Sequence, residues 1–226
     1  MIPLINFFQR TRSSALNFNW EAITLSAYRT LVELQLQEFP IPTDKIKCKG
    51  VKIASYQKYS KLTGCSIQEI TCGDELRDAF LLKGLRPGLT IILYNDEANN
   101  SRMKHTLWHE IGHIKCGHKR HGPQEEVEAH FFASQANAPN ALIKEIAKRG
   151  YSINVPFLVG CFGLSQEAAN KKTDYLKRHP FSHSNEYDDI LLAQFSSFIN
   201  TKYPQKAKKI HDAYYDELEQ ERKEWY

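Results

Sequence analysis

The chain has 226 residues, of which 42% are hydrophobic and 25% are charged, as expected for a globular protein long enough to bury a core. Its net charge of +4 is too small to indicate a nucleic-acid-binding protein. No run of residues approaches the ~18 apolar residues of a membrane span. The apolar stretch at the start of the chain is too short for a signal peptide and carries no charge, so we expect a cytoplasmic protein.

The N-terminal half predicts one helical segment followed by a small sheet. Residues 1–40 are expected to be helical, with Ala27, Leu31 and Leu34 among the apolar positions, and Pro40 and Pro42 are expected to end the helix. A strand is predicted at residues 50–55, followed by a polar helix or turn that ends at Gly64. Further strands of a small meander, with a turn at 84–88, are predicted at residues 66–72, 78–83 and 89–94.

Two sets of residues, six lysines and the five cysteines of the whole chain, are interpreted as structural rather than functional. Six lysines lack interleaved aromatics or a helix-turn-helix pattern, so they predict a solvated face: Lys45, Lys47, Lys49, Lys52, Lys58 and Lys61. The five cysteines form no C-x-x-C pair, which argues against a disulfide framework and a zinc finger, and they predict reduced, mostly buried thiols: Cys48, Cys65, Cys72, Cys116 and Cys161.

The next predicted helix, at about residues 103–118, contains the motif H-E-x-x-H. Four residues turn an α-helix through roughly 400°, so His109 and His113 lie on one face and can bind one metal ion together. Glu110 lies beside them, where a carboxylate can accept a proton from a metal-bound water. An apolar stripe lies on the side of the helix opposite the histidines and consists of Leu107, Ile111 and Ile114. It predicts that this side packs on the core. Gly112 is unfavourable inside a helix, which suggests a close neighbour.

The remainder of the chain is predicted to be helical. A break at Lys119 to Pro123 precedes a helix at 124–138, on which small alanines allow a close approach to the H-E-x-x-H helix. Ser165 is a candidate N-cap. Further helices are predicted at residues 141–149, 165–178, 187–200 and 205–226.

A catalytic zinc site usually has a third protein ligand and one open position. The completion H-E-x-x-H-x-x-G-x-x-H fails, because Cys116 and Lys119 occupy the positions of its glycine and last histidine. A glutamate from the following helix fits better. We prefer Glu126 as the third ligand, with Glu128 as the competing candidate and His130, one turn beyond Glu126, as a supporting or substrate-facing group.

Several segments in a fixed order resemble the ImmA/IrrE-type metallopeptidases, over about residues 45–178. These segments are Tyr94 to Asp96, Arg102, Thr106 to Ile114, Glu126 to Ser134, Pro139 and Phe162 to Ala169. The resemblance implies a cytoplasmic, gluzincin-like zinc endopeptidase that cuts a helix-turn-helix repressor and so derepresses mobile-element or stress-response genes. It implies His109 and His113 as metal ligands, Glu110 as general base and a glutamate of 126–128 as third ligand.

The sequence departs from this family at two places. His130 occupies a position that is usually Asn or Asp, and we expect this change to affect how the third ligand is oriented. Residues 135–138, Gln-Ala-Asn-Ala, replace the usual apolar pair and methionine before Pro139, and we expect this change to alter contacts with the substrate.

The mechanism that these residues predict has Glu110 activating a zinc-bound water and returning the proton to the leaving amine. A further donor is needed for the oxyanion, with three candidates: His130, Tyr151 and His179. A strand edge of the sheet could hold the substrate extended. The alternative is a non-proteolytic metal-binding regulatory protein that sequesters a repressor or antitoxin partner.

The expected architecture is one α+β unit, mainly helical, with a small antiparallel or mixed sheet beside the H-E-x-x-H helix. We divide it into an N-terminal helical segment (1–44), a metallopeptidase core (45–178) and a C-terminal helical extension (179–226). The expected partner is a protein substrate, namely a DNA-binding repressor. The protein itself is not expected to bind a membrane or to bind nucleic acid directly.

Overall fold

The computed structural model describes residues 18–74, 77–84, 88–120, 122–179 and 186–206. The three strands are β1 (Val51–Ser55), β2 (Ala79–Lys83) and β3 (Thr90–Tyr94). The α-helices within the described residues are α1 (Trp20–Glu33), α2 (Tyr56–Thr63), α3 (Ile67–Ile70), α4 (Asn100–Lys115), α5 (Pro123–Asn137), α6 (Asn140–Lys148), α7 (Val155–Phe162), α8 (Gln166–Arg178), α9 (Glu186–Gln194) and α10 (Ser196–Lys202). The predicted α+β class, mainly helical with a mixed sheet, is confirmed.

The sheet has the order β1-β3-β2, with β3 at its centre. β3 pairs in parallel with β1 and antiparallel with β2, so that Ile92 is the register partner of Ile53 on one side and Leu81 on the other. Ile92 and Leu93 are fully buried, which fits a central strand with both faces covered. A short polar connection then leads from β3 into α4, which packs against β2 and β3.

The N-terminal helix is shorter than predicted. Helix α1 ends at Glu33, because Gln35 adopts a left-handed conformation with φ of 51°, and a residue in that region cannot continue a right-handed helix. The chain beyond it is irregular apart from a 3-10 turn at Thr43–Lys45, and it buries Leu36, Phe39 and Ile41. The part of the predicted helix before residue 18 lies outside the described residues.

Two further predictions of secondary structure were wrong. The segment predicted as a strand at 66–72 contains helix α3, because Ser66 and Glu69 form a capping box that favours a helix start. The single helix predicted at 187–200 is two helices, α9 and α10, separated at Phe195. Most of the predicted helix at 205–226 lies outside the described residues.

One hydrophobic cluster joins the N-terminal, central and C-terminal segments. It includes Leu31 of α1, Trp108 of α4, Phe132 of α5 and Phe195 at the start of α10, each with no more than trace exposure. The helix pair α4–α5, which carries the predicted site, therefore lies against this core. In the part of the chain that is described, no helix is both long and apolar enough to cross a membrane.

Candidate metal centre

Helix α4 supplies the first part of the site. It begins after Asn99, whose side chain accepts a hydrogen bond from the backbone N–H of Arg102, as a good N-cap does. The predicted apolar stripe is confirmed, since Leu107 and Ile111 are fully buried and Ile114 packs against the same core. The histidine side of the helix is thereby turned away from the core and towards α5.

Helix α5 crosses α4 at Gly112, which confirms the predicted close contact. A Cβ atom at position 112 would lie 3.2 Å from the backbone of Ala129 and from the Cβ of Phe132. Ala129 and Ala133 are both fully buried, so the small side chains do permit the approach of the two helices. Pro123 occupies the first turn of α5, a position where its missing N–H is not required.

Three side chains from the two helices converge on one point. The Nε2 atoms of His109 and His113 lie 3.0 Å apart. The Glu126 carboxylate places Oε2 3.2 Å from His109 Nε2 and Oε1 3.4 Å from His113 Nε2. The side chain of His113 is 1% exposed, that of His109 12% and that of Glu126 39%, so the group opens to solvent on the Glu126 side.

This group fits a divalent metal ion such as zinc. Zinc bonds to imidazole nitrogen and carboxylate oxygen are about 2.0–2.2 Å long, so neighbouring ligand atoms in a tetrahedral site are about 3.3 Å apart. The three distances between His109, His113 and Glu126 are close to that value. Two imidazoles and one carboxylate are also a donor set that catalytic zinc sites use, with the fourth position left for water or substrate.

Glu128, the competing candidate for third ligand, points elsewhere. Its Oε2 lies 2.9 Å from Nε2 of His118, and its Oε1 accepts a hydrogen bond of 2.9 Å from Nε2 of Gln124. His118 in turn places Nδ1 2.9 Å from Nδ1 of His113. The geometry therefore favours Glu126 as the third ligand. Glu128 is connected to His113 through His118.

Glu110, the candidate general base, follows His109 on α4 and is 6% exposed. Burial raises the pKa of Tyr56 to about 12; Arg77 opposes this rise, and Asp78 and Glu110 add to it. A buried carboxylate next to His109 is suited to accept a proton inside the site rather than to interact with bulk solvent.

A second pair of histidines, His105 and His130, lies beside the group formed by His109, His113 and Glu126. His130 of α5 lies against His109, with ring centroids 4.3 Å apart. His105 of α4 places its Nε2 3.3 Å from Nδ1 of His130. Desolvation, reinforced by His130 and His109, lowers the pKa of His105 from 6.5 to about 3, and desolvation and His109 lower that of His130 to about 4. Both imidazoles are therefore neutral near pH 7.

The other oxyanion candidates lie in different surroundings. Tyr151 packs against Tyr203, with ring centroids 5.3 Å apart, and Lys206 lies over its ring. His179 stacks on Tyr175 at 4.5 Å. Of these three candidates in the described structure, His130 is therefore the one whose ring contacts His109, a member of the candidate metal group His109, His113 and Glu126.

Burial describes the surroundings of the segment 135–138 and of the cysteines. The segment 135–138 is buried and packs into the core, where Gln135 contacts the hydroxyl of Tyr28; its expected effect on substrate contacts stays a prediction. Cys116 packs against the core and burial raises the pKa of its thiol to about 11. All five cysteines are free, but Cys65 and Cys72 are exposed, contrary to the expectation of mostly buried thiols.

The motif did not assign His105 and His118, and the sequence contained a signal for one of these two residues. His105 precedes His109 by four residues, the same helical spacing that joins His109 to His113. His118 follows His113 by five residues, beyond the end of α4, where the chain turns back through Gly117 with φ of 73°. Periodicity could have identified His105, whereas the position of His118 depends on this turn.

Comparison with known proteins agrees with the site. Residues 64–174 match the family model of the IrrE N-terminal-like domain, peptidase family M78. The matched segment contains α4, α5 and most of α8. Searches of the curated proteins and of the solved structures returned no match.

Proposed function

Since the chain belongs, over residues 64–174, to the IrrE N-terminal-like family of peptidases, we propose that it is a zinc-dependent endopeptidase. The observation that carries this proposal is the convergence of His109, His113 and Glu126 within 4.8 Å of one another, next to the buried carboxylate of Glu110. The H-E-x-x-H motif alone gives two of these ligands, and the third comes from a separate helix.

The metal would be held by His109, His113 and Glu126. When bound, a zinc ion supplies Lewis-acid chemistry, since it acidifies a water molecule and polarises the carbonyl of the scissile peptide. Glu110 accepts the proton of the attacking water and delivers it to the leaving amine. The opening on the Glu126 side lets a peptide approach the ligands.

His130 is assigned to the developing oxyanion. A neutral imidazole can donate only one hydrogen bond, and the bond with His105 decides which nitrogen of His130 carries the proton. If His105 donates from Nε2 to Nδ1 of His130, the proton of His130 is on Nε2 and is available to the substrate. His105 would then be a positioning residue for His130.

The substrate is proposed to be a protein segment in extended conformation. β2 is an edge strand of the sheet and packs beside α4. No other strand of the described residues pairs with its outer edge, which could therefore pair with the backbone of a peptide. The family resemblance further suggests a cytoplasmic repressor of the helix-turn-helix class as the natural substrate. Cleavage of such a protein would release the genes that it silences.

The test of the proposal is the Glu110→Gln variant, loaded with zinc and incubated with a degenerate peptide library that is read by mass spectrometry. We expect the wild type to cut a defined set of peptides, and Glu110→Gln to keep its zinc but lose cleavage. Glu97→Gln, a matched change on the surface, should cleave as the wild type does. Cleavage that persists in Glu110→Gln would contradict the proposal. A protein that only binds a repressor would retain partner binding in both variants without cutting.

A further inference from the structure

A chain of hydrogen bonds leads from His113 away from the metal group. His113 Nδ1 lies 2.9 Å from His118 Nδ1, and His118 Nε2 lies 2.9 Å from Glu128 Oε2. Gln124 donates from Nε2 to the other oxygen of Glu128, again at 2.9 Å. The side chains of His113, His118 and Glu128 are 1%, 6% and 17% exposed, so solvent has little access to the chain.

The position of each proton in this chain follows from the metal ligand at one end. A His113 that binds an ion through Nε2 carries its proton on Nδ1, from which it donates to Nδ1 of His118. His118 must then carry its own proton on Nε2 and donate it to the Glu128 carboxylate. In this arrangement each ring N–H in the chain has an acceptor, and the chain ends on a negative charge.

From this geometry we propose that His118 and Glu128 are positioning residues that hold the ring and the tautomer of His113 for metal binding. The inference rests on the metal site of the proposed function. It assigns Glu128 a role that is distinct from that of a ligand, and it gives His118 a role that the H-E-x-x-H motif does not include.

The two histidine ligands differ in this respect. Nδ1 of His109 is buried and has no hydrogen-bond partner among the described residues, whereas Nδ1 of His113 faces His118. His113 is therefore the histidine ligand whose ring is held in place by another side chain, that of His118. A carboxylate at the end of such a chain also increases the basicity of the bound imidazole, which strengthens its bond to the metal.

Metal affinity gives a direct test, because it does not depend on any substrate. Zinc affinity is measured by competition with a chromophoric chelator for the wild type, Glu128→Gln and His118→Phe. Loss of an outer hydrogen-bond partner typically weakens metal binding by about 10–100-fold, and we expect a loss of that size in each variant. Glu145→Gln is the matched control, since Glu145 is on α6 and pairs with Arg149; its affinity should equal that of the wild type.

The double variant His118→Phe/Glu128→Gln separates a shared role from two independent ones. If both residues act through His113, the double variant should lose no more affinity than the weaker-binding single variant. The inference would be overturned, with the zinc site left intact, if the fold losses of the two single variants multiplied in the double variant. It would also be overturned if both single variants bound zinc as tightly as the wild type. A loss beyond about 1,000-fold in Glu128→Gln alone would make Glu128 a ligand instead. A wild type that binds no zinc would overturn the proposed function as well.

A measurement on the wild type alone guards against variants that fail to fold. Long-range ¹H–¹⁵N spectra of the histidine rings in the zinc-loaded protein report which nitrogen of each ring carries the proton. We expect His118 to be protonated at Nε2 and His113 at Nδ1. A His118 ring protonated at Nδ1 could not accept from His113 and would overturn the inference.

Discussion

Gly112 of α4 lies directly against Ala129 of α5, where an added Cβ atom would be 3.2 Å from both the Cα and the carbonyl oxygen of Ala129. These two positions bring the helix of His109 and His113 against the helix of Glu126. The separation of the helices at this crossing therefore sets the distance between the two histidine side chains and that of Glu126.

Gly112→Ala should weaken metal binding more than it weakens the fold. A methyl group in a helix interior gains up to about 1 kcal/mol over glycine, but here it meets backbone atoms of α5 and costs about 1–3 kcal/mol in overpacking. We expect a net loss of stability below about 2 kcal/mol, together with a loss of zinc affinity as Glu126 moves away from the histidines. Chemical denaturation and chelator competition measure the two effects.

Gly160→Ala is the matched control, because this glycine is exposed in α7 and an added Cβ would meet nothing within 4 Å. It should stabilise the protein by up to about 1 kcal/mol and leave zinc affinity unchanged. Unchanged zinc affinity in Gly112→Ala would show that the close crossing is not what places Glu126.

His130→Ala should lower kcat by about 10²–10³-fold, the effect typical of removing one oxyanion donor. Zinc content should be unchanged, because His130 is outside the group of three ligands. His130→Gln, which retains a donor, should recover part of the rate, and His105→Phe should give a smaller loss. Steady-state kinetics on a peptide selected by the wild type measures these rates, with His179→Ala as an unaffected control. A change confined to KM would exclude the oxyanion role.

Lys172 predicts a pH dependence of stability. It is 4% exposed, and desolvation lowers its pKa from 10.5 to about 7. Between pH 7 and 10.5 the unfolded chain binds more protons at this residue than the folded chain, so its contribution to the free energy of unfolding rises with pH. Lys172→Met should therefore be more stable than the wild type at pH 7, by on the order of a few kcal/mol, and this advantage should shrink towards pH 10.

Urea denaturation at pH 7, 8, 9 and 10 measures the difference between the two proteins. Lys171→Met is the control, since Lys171 is 65% exposed and pairs with Glu167; its difference from the wild type should not vary with pH in this way. A constant difference between Lys172→Met and the wild type would show that Lys172 is charged in the folded protein.

Zinc should stabilise the folded chain, because its ligands come from two helices and are brought together only on folding. A ligand that binds the folded state alone raises the free energy of unfolding by about 2.7 kcal/mol at 100 times its Kd. We expect Tm to rise when zinc is added to chelator-treated wild type, and the rise to be absent in Glu126→Ala. A similar rise in Glu126→Ala would place the zinc elsewhere.

Local patterns predicted the elements that form the site. Helical spacing placed His109 and His113 together, and the stripe of Leu107 and Ile111 predicted which side of α4 is buried. Glycine at 112 predicted a close contact without identifying its partner. These features depend only on the geometry of one helix, which is why the sequence is sufficient for them.

The features that were missed depend on contacts between separate segments or on stronger local signals. The choice between Glu126 and Glu128 required the rotation of α5 against α4. The end of α1 depended on the backbone of Gln35, and the capping box at Ser66 overrode an apolar alternation that resembled a strand. The boundaries at residues 44 and 178 remain predictions, although one hydrophobic core spans both.

Metal analysis of the purified protein tests the central claim most directly. Elemental analysis is made on the wild type, His113→Ala, Glu126→Ala and Glu128→Ala after reconstitution with zinc and removal of the excess. The account predicts about one zinc per wild-type chain, little or none in His113→Ala and Glu126→Ala, and zinc that is retained more weakly in Glu128→Ala. A wild type that holds no divalent metal, or a Glu126→Ala variant that retains zinc as the wild type does, would contradict it.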